Sequence, residues 1–314
     1  MESVNGRNSL VSVVVLSYNH ESFIERTLQS VINQNFSDFE IIYIDNNSFD
    51  NAFEKGLNIL QASNKKFYAE KTKQNLGISN GINYGISFAK GQYISTLAGD
   101  DWWDMDNLKY KTAHMLKNPE YGMVYGNGYK YNNTTQEIDI FYKSPFMSGF
   151  IFKDLLKGPV INSQGILYDH ALIKSLGYFD SSAKIEDRDL WLRIAKIAPV
   201  GYVHEALSFY RVNHGQNISN DLKYMHEGNE FIFKKYEKDF PVEIKIARSR
   251  QHDYFAYSLA TRKPSFYSLI YILKNYQFGW VYNKQVIKCI INMLKKLTGN
   301  IQRSINCFNN PGLI

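Results

Sequence analysis

Three apolar runs in the first hundred residues each end in a polar or acidic turn, and this constrains the fold more than any other feature. Val11-Ser12-Val13-Val14-Val15-Leu16 stops at Ser17-Tyr18-Asn19-His20. Glu40-Ile41-Ile42-Tyr43-Ile44 stops at Asp45-Asn46-Asn47-Ser48, and Tyr93-Ile94-Ser95-Thr96-Leu97 runs into Gly99-Asp100-Asp101. Runs this apolar mark strands buried on both faces. After the first run, Phe23, Ile24, Leu28, Val31 and Ile32 recur at helical spacing. A polar helix to about Asn64, a short strand around Phe67-Tyr68 and a helix over 77–89, weakened by Gly81 and Gly85, complete the alternation. The β-α-β-α order predicts an α/β fold with a mostly parallel sheet flanked by helices, whose ligands bind at the carboxyl ends of the strands. Those ends carry Tyr18, Asp45 and Asn46, and Asp100 and Asp101.

The chain has 314 residues, 44% hydrophobic and 21% charged, which excludes disorder over most of its length. Two cysteines, Cys289 and Cys307, cannot build a disulfide framework or a Cys-rich zinc site and fit a reducing compartment. The apolar run at 10–16 is too brief for a secretory core, and no stretch reaches the ~18 apolar residues that span a bilayer. No glycine-rich phosphate loop of either common pattern occurs. Nucleotide binding here therefore calls for carboxylates and a metal.

Three polar clusters are candidates for chemistry. Asp100 and Asp101 are adjacent carboxylates, costly together unless a cation or strong donors offset them. A capping loop with Asp104 and Asp106 accounts for them equally well by pattern. Glu186 and Asp187 precede an apolar helical face of Leu190, Ile194 and Ile197, with Trp191 alongside. They read as first-turn acids complementing the helix dipole, or as a general base at a helix start. His214, in Tyr210-Arg211-Val212-Asn213-His214-Gly215, is a structural histidine unless the other clusters form a site. Asn132-Asn133-Thr134-Thr135 reads as a hairpin tip, and Pro241 and Pro264 as boundaries between helical pieces after Asp221.

Together these segments resemble the family 2 glycosyltransferases, inverting enzymes with the GT-A fold, over about 10–219. The carriers are the strand from Val11 to Asn19, the segment from Glu40 to Ser48, Asn75-Leu76-Gly77 with Asn83 and Gly85, Gly99-Asp100-Asp101-Trp102-Trp103, and Glu186-Asp187 before Leu190-Trp191-Leu192-Arg193. The family's second nucleobase-loop acid is Asn46 here, whose amide oxygen still accepts from a uracil or thymine N3–H. The acid two residues before Asp100 is replaced by Ala98, and His214 stands one residue later than in the usual pattern.

The resemblance implies transfer from a nucleoside-diphosphate sugar, UDP or dTDP favoured, to a hydroxyl of a glycan or lipid-linked saccharide in O-antigen or capsule synthesis. Asp187, with Glu186 beside it, is the implied general base. Asp101, with His214, is the implied ligand of Mg2+ or Mn2+ on the diphosphate. Leu16 (through its backbone), Tyr18, Asp45, Asn46, Asn75, Gly77 and Asp100 are the implied donor-binding residues. Trp102, Trp103 and Trp191 are candidates to stack on acceptor sugar, with core packing the alternative. A nucleotidyltransferase and a degenerate sugar-nucleotide-binding module are the competing readings.

The resulting layout is a catalytic domain over 1–220, nucleotide-binding over about 10–101 and acceptor-binding over about 102–220, followed by a helical extension over 221–314. The formal +6 is confined to that extension. After Asp253 come eight Lys and Arg and no acid. Phe266, Leu269, Ile270, Leu273, Val286, Ile287, Ile290, Ile291, Leu294 and Leu297 recur there at helical spacing among the lysines. Basic amphipathic helices of this kind suit an anionic membrane surface, or pack on the catalytic domain with solvated lysines. The expectation is a cytoplasmic protein, peripheral on the inner membrane, with no affinity for nucleic acid.

Overall fold

The computed structural model describes residues 9–141, 146–158, 161–215, 217–261 and Ile291. The strands are β1 (Val11–Ser17), β2 (Phe39–Asp45), β3 (Phe67–Lys71), β4 (Tyr93–Ala98), β5 (Trp102–Trp103), β6 (Met123–Asn132), β7 (Ile138–Ile140), β8 (Leu167–Asp169) and β9 (Val200–Val212). The helices are α1 (Ile24–Ile32), α2 (Ala52–Gln61), α3 (Ile78–Ile86), α4 (Asn107–Lys117), α5 (Phe152–Lys157), α6 (His170–Ser175), α7 (Glu186–Ala195), α8 (Leu222–Tyr236) and α9 (Pro241–Thr261). The chain divides into two compact units, Met1–Lys235 and Tyr236–Ile314. Residues 222–235 of α8 thus belong to the first unit.

One nine-stranded sheet runs in the order β3-β2-β1-β4-β8-β6-β9-β5, with β7 paired to β6. The first four positions are parallel, as the alternating pattern predicts. Beyond β4 the pairing is mixed: β8 is antiparallel to β4 and β6, while β9 runs parallel to β6. The hairpin tip at Asn132-Asn133-Thr134-Thr135 joins β6 to β7 in antiparallel register.

β1 is central and covered on both faces. Val11, Val13 and Val15 join Ile24, Leu28 and Val31 of α1 in the main core. Val14 faces α3 at Gly85, where an added Cβ would come within 2.5 Å of Val14 Cγ1. The glycine that weakened the helical pattern is thus what lets α3 lie close on the sheet. At the amino ends of the strands, buried Glu40 is occupied by Ser12 Oγ at 2.8 Å, the Lys90 N–H at 2.9 Å and Lys66 Nζ at 3.0 Å. The carboxyl ends hold the remaining polar clusters.

β9 parallel to β6 requires a crossover, and α7 precedes β9. Its first turn therefore lies at the rim where the parallel strands end. Ile197, expected on the buried face with Leu190 and Ile194, lies past the end of α7 and is exposed. The basic amphipathic pattern from Phe266 onward lies outside the described residues, Ile291 excepted.

Candidate active site

Two loops at the ends of β1 and β2 hold each other. Asn19 and Asn47 adopt left-handed φ of 56° and 65°, a conformation that asparagine tolerates. The Asn19 N–H donates to Ser48 Oγ at 2.8 Å, and the Phe49 N–H donates back to Asn19 Oδ1 at 2.9 Å. Asp45 is fully buried; its two oxygens accept from the Ser48 N–H at 2.8 Å and the Ser48 hydroxyl at 2.6 Å. Burial raises its pKa, with Ser48 pulling the other way. Asn46 is fully engaged too: its oxygen accepts from the Leu76 N–H at 2.8 Å, and its NH2 donates to Asn75 Oδ1 and the Gly77 carbonyl. Asp45, Asn46, Asn75 and Gly77 therefore form the frame of the loop. The Leu16 carbonyl accepts from the Gly99 N–H at 2.8 Å. Half-buried Tyr18 sits edge-on to Phe49, which is 85% exposed, with ring centroids 6.4 Å apart.

At the end of β4 the adjacent aspartates part company. Asp101 is 1% exposed and its Oδ1 accepts from the Arg211 backbone N–H at 2.8 Å. Burial and the neighbouring Asp100 push its pKa well up, against the Arg211 N–H and Gln164. Asp100 faces the other way, toward His214, with Oδ2 to Nε2 at 3.0 Å. That contact is short but the imidazole nitrogen has no aligned hydrogen-bond partner, and neither has the buried Nδ1 of His20. Burial pushes the Asp100 carboxyl up, but His214 and His20 together outweigh it and leave its pKa below the ordinary value. Of the two aspartates, it is Asp100 that lies against His214, while Asp101 is held by the Arg211 N–H. In a tight turn successive side chains point apart, and only one of the two can face the rim.

Residues outside the sequence-derived set hold this turn. The Thr27 hydroxyl lies 2.9 Å from the Gly99 carbonyl and 2.7 Å from that of Asp101, donating to one at a time. Arg211 Nε donates to the Asp100 carbonyl at 2.8 Å, while its guanidinium lies over Phe23 and Trp102. His20 closes the polar stop of β1, so its position was visible in the pattern although its influence on Asp100 was not.

α7 presents the other acidic pair. The Arg188 N–H donates to Asp187 Oδ1 at 2.5 Å, and among the described residues no cation bridges Asp187 or Glu186. Burial raises Asp187 to about 6, the Arg188 N–H and charge opposing; burial and then Asp187 raise Glu186 to about 8. The next acid is different: Asp189 is fully buried between Arg193 Nε and Lys235 Nζ, each at 2.7 Å. A pocket of about 180 Å³ opens beside Glu186, bounded by residues 76–80, the loop before α7 and Tyr224.

The three tryptophans are turned inward. Trp102, Trp103 and Trp191 are 3–4% exposed. Trp102 stacks on Phe209, Trp103 pairs β5 to β9, and Trp191 Nε1 donates to Tyr168 Oη at 3.0 Å. Packing is their role in this fold.

Comparison with known proteins agrees with this architecture. The model of glycosyl transferase family 2 matches residues 12–176. The chain is 28% identical over 216 residues to the UDP-Glc:alpha-D-GlcNAc-diphosphoundecaprenol beta-1,3-glucosyltransferase WfgD of Escherichia coli, covering 68% of this chain and 81% of that protein. It is 24% identical to a chondroitin synthase of Pasteurella multocida, across 98% of this chain but only 34% of that longer protein. The mannosyltransferase PcManGT of Pyrobaculum calidifontis, solved with GDP-Man and Mn2+, superposes with a TM-score of 0.61 at 15% identity, covering 93% of this chain and 88% of that one. With a GT-A-type sheet and a family match over more than half its length, the chain belongs to glycosyltransferase family 2.

Proposed function

We propose that this enzyme moves a glycosyl group from a UDP- or dTDP-sugar to a hydroxyl of a glycan or lipid-linked saccharide, inverting the anomeric carbon, in the assembly of a surface polysaccharide such as O-antigen or capsule. The observation that carries the proposal is the unbridged pair Glu186 and Asp187, offered by the first turn of α7 at the strand-end rim that also holds Asp100 and His214. The relatives support the substrate class: the Escherichia coli enzyme is named for UDP-Glc and a diphosphoundecaprenol-linked acceptor, and the archaeal one binds GDP-Man.

Asp187 takes the proton of the acceptor hydroxyl as that oxygen forms its bond to C1. The bond from C1 to the diphosphate oxygen breaks on the opposite face, and its electron pair leaves with the phosphate. A carboxylate raised to about 6 is a stronger base than an ordinary aspartate and remains ionised at neutral pH. Tyr18 flanks the nucleobase, and the Asp45–Asn46 frame holds the loop beside it.

Mg2+ or Mn2+ suits the residues present. Among the described residues no three His, Cys, Asp or Glu side chains form a ready-made cage. Asp100 and His214 still offer one oxygen and one buried imidazole nitrogen without an aligned partner, leaving other positions to diphosphate and water. When bound, such an ion neutralises charge on the leaving diphosphate. Asp100 and His214 would hold it, and Asp101 anchors the turn from behind.

Action at the cytoplasmic face of the inner membrane is part of this reading, and the eight Lys and Arg after Asp253, with no acid among them, support it. Among the described residues no helix is long and apolar enough to cross a membrane. Deletion after Pro264 should abolish cosedimentation with phosphatidylglycerol vesicles; equal sedimentation would refute the membrane role.

The central test is Asp187→Asn. Transfer should fall ~10²–10⁴-fold with the affinity for the nucleotide sugar unchanged, because an amide cannot take the proton. Near-wild-type turnover would remove Asp187 as the base.

A further inference from the structure

The pocket beside Glu186 has a wall that lies beyond the 12–176 family match: Tyr224, on α8. α8 is fastened along its length to the segment that carries Glu186 and Asp187. Glu227 bridges Lys184, Asn229 accepts from Arg188, and Lys235 reaches Asp189 at 2.7 Å. Between them Gly228 rests on Ile185, where a Cβ would come within 2.6 Å of Ile185 Cγ1. Tyr224, one turn before Gly228, lies under Lys184, whose Nζ is 5.2 Å from the ring centre. The ring is held in position by this row of contacts.

The opposite wall is the first turn of α3. Its N-cap is Gly77, which offers no side-chain oxygen, so the amides of that turn have no capping side chain, and residues 77–80 line the pocket. The loop between the walls is fixed to α3, with Asn83 Nδ2 donating to the Phe179 carbonyl at 2.8 Å. The pocket thus has an uncapped helix start on one side, and the Glu186 carboxyl group, the Lys184 ammonium and the Tyr224 ring on the other. Its volume of about 180 Å³ is below the ~300 Å³ at which pockets for drug-sized ligands begin, which leaves room for one monosaccharide ring.

We propose that this pocket is a monosaccharide subsite and that Tyr224 determines its specificity, stacking on the apolar face of a pyranose whose hydroxyls accept from the α3 amides and donate to Glu186. The inference rests on the reading of Asp187 as base. The ring could be that of the donor or that of the acceptor; both present the same chemistry.

The test uses the full chain with diamagnetic Mg2+ and saturation-transfer NMR. The probes are UDP, dTDP and GDP, the matching glucose and N-acetylglucosamine nucleotides, and methyl pyranosides of glucose, galactose, mannose and N-acetylglucosamine. Tyr224→Ala should weaken pyranose binding roughly tenfold, Tyr224→Phe should restore it, and free nucleoside diphosphate should bind unchanged. A loss confined to the sugar nucleotides assigns the donor ring; a loss for the methyl pyranosides assigns the acceptor ring. Three results overturn the proposal: wild-type binding of every probe by Tyr224→Ala, weakened binding of the free diphosphate as well, or a wild-type protein that binds no pyranoside and holds sugar nucleotides no tighter than the diphosphate. Failure of the base assignment appears separately, as turnover retained in Asp187→Asn while the Tyr224 effects stand.

Discussion

Asp101 Oδ1 accepts a 2.8 Å hydrogen bond from the backbone N–H of Arg211, a residue 110 positions away, and so ties the end of β4 to the end of β9. The bond spends the more deeply buried of two adjacent aspartates on structure and leaves Asp100 to face His214.

That division predicts opposite outcomes for the two. Asp101→Ala leaves the Arg211 N–H buried and unpaired, at about 1–3 kcal/mol, and lowers Tm. Asp101→Asn keeps an acceptor oxygen there and should retain both fold and Mn2+-stimulated turnover. Asp100→Asn should keep Tm while Mn2+-stimulated turnover falls about 10–100-fold. Thermal melts beside metal titrations of activity make the comparison; loss of Mn2+ stimulation in Asp101→Asn with Asp100→Asn active would reverse it.

The raised acids of α7 make activity and stability depend on pH in different ways. With Asp187 as the proposed base, transfer requires it ionised, so kcat should fall about tenfold per unit below about 6. Glu186 titrates at about 8 in the fold against 4.5 ordinarily. Its folded state resists ionisation, so its contribution to stability is full below about 4.5 and is lost as pH rises through 8. Glu186→Gln should therefore gain Tm over the wild type from pH 5 to pH 9. A constant Tm difference across that range would show that Glu186 is not strained.

Lys111 carries the reverse sign. It is 1% exposed, donates to the Gly165 carbonyl and to Asn107 Oδ1, and burial pushes its ammonium down to about 7. Between about 7 and 10.5 the unfolded chain binds more protons, so stability rises with pH through that window and is lost as pH falls through 7. Lys111→Met removes the dependence. The variant should compare better with the wild type in melts at pH 6 than at pH 9, where the orphaned Gly165 carbonyl dominates.

Gly85→Ala sets two effects against each other. Alanine gains ~0.5–1 kcal/mol in a helix interior. Its Cβ, at 2.5 Å from Val14 Cγ1 on a fully buried strand, costs about 1–3 kcal/mol. The clash should win, with Tm falling several degrees; a raised Tm would mean that α3 shifts freely on the sheet.

Much of the framework was legible before any coordinates. The polar stops after β1, β2 and β4 located the rim, because period-2 and period-3.6 patterning reports which face of an element is buried, and a buried strand must shed its polar residues at its ends. The mixed second half was less legible: β5 and β8 are two and three residues long, too short for a period to register.

By itself the sequence determined the class of fold, the alternation of strand and helix in its first half, and the segments whose acids sit at strand and helix ends, since these depend on local propensity and burial pattern. Tertiary structure alone decided which acids are tied to a partner elsewhere in the frame. Asp101 is taken by Arg211, Asp45 by Ser48 and Asp189 by Arg193 and Lys235, whereas Asp100, Glu186 and Asp187 are left to the rim. It also turned three tryptophans inward and brought Tyr224 to the pocket. Distant partners settle such outcomes, as Arg211 does for Asp101 and Lys235 for Asp189, and neighbouring residues in a turn carry no mark of which way each will face.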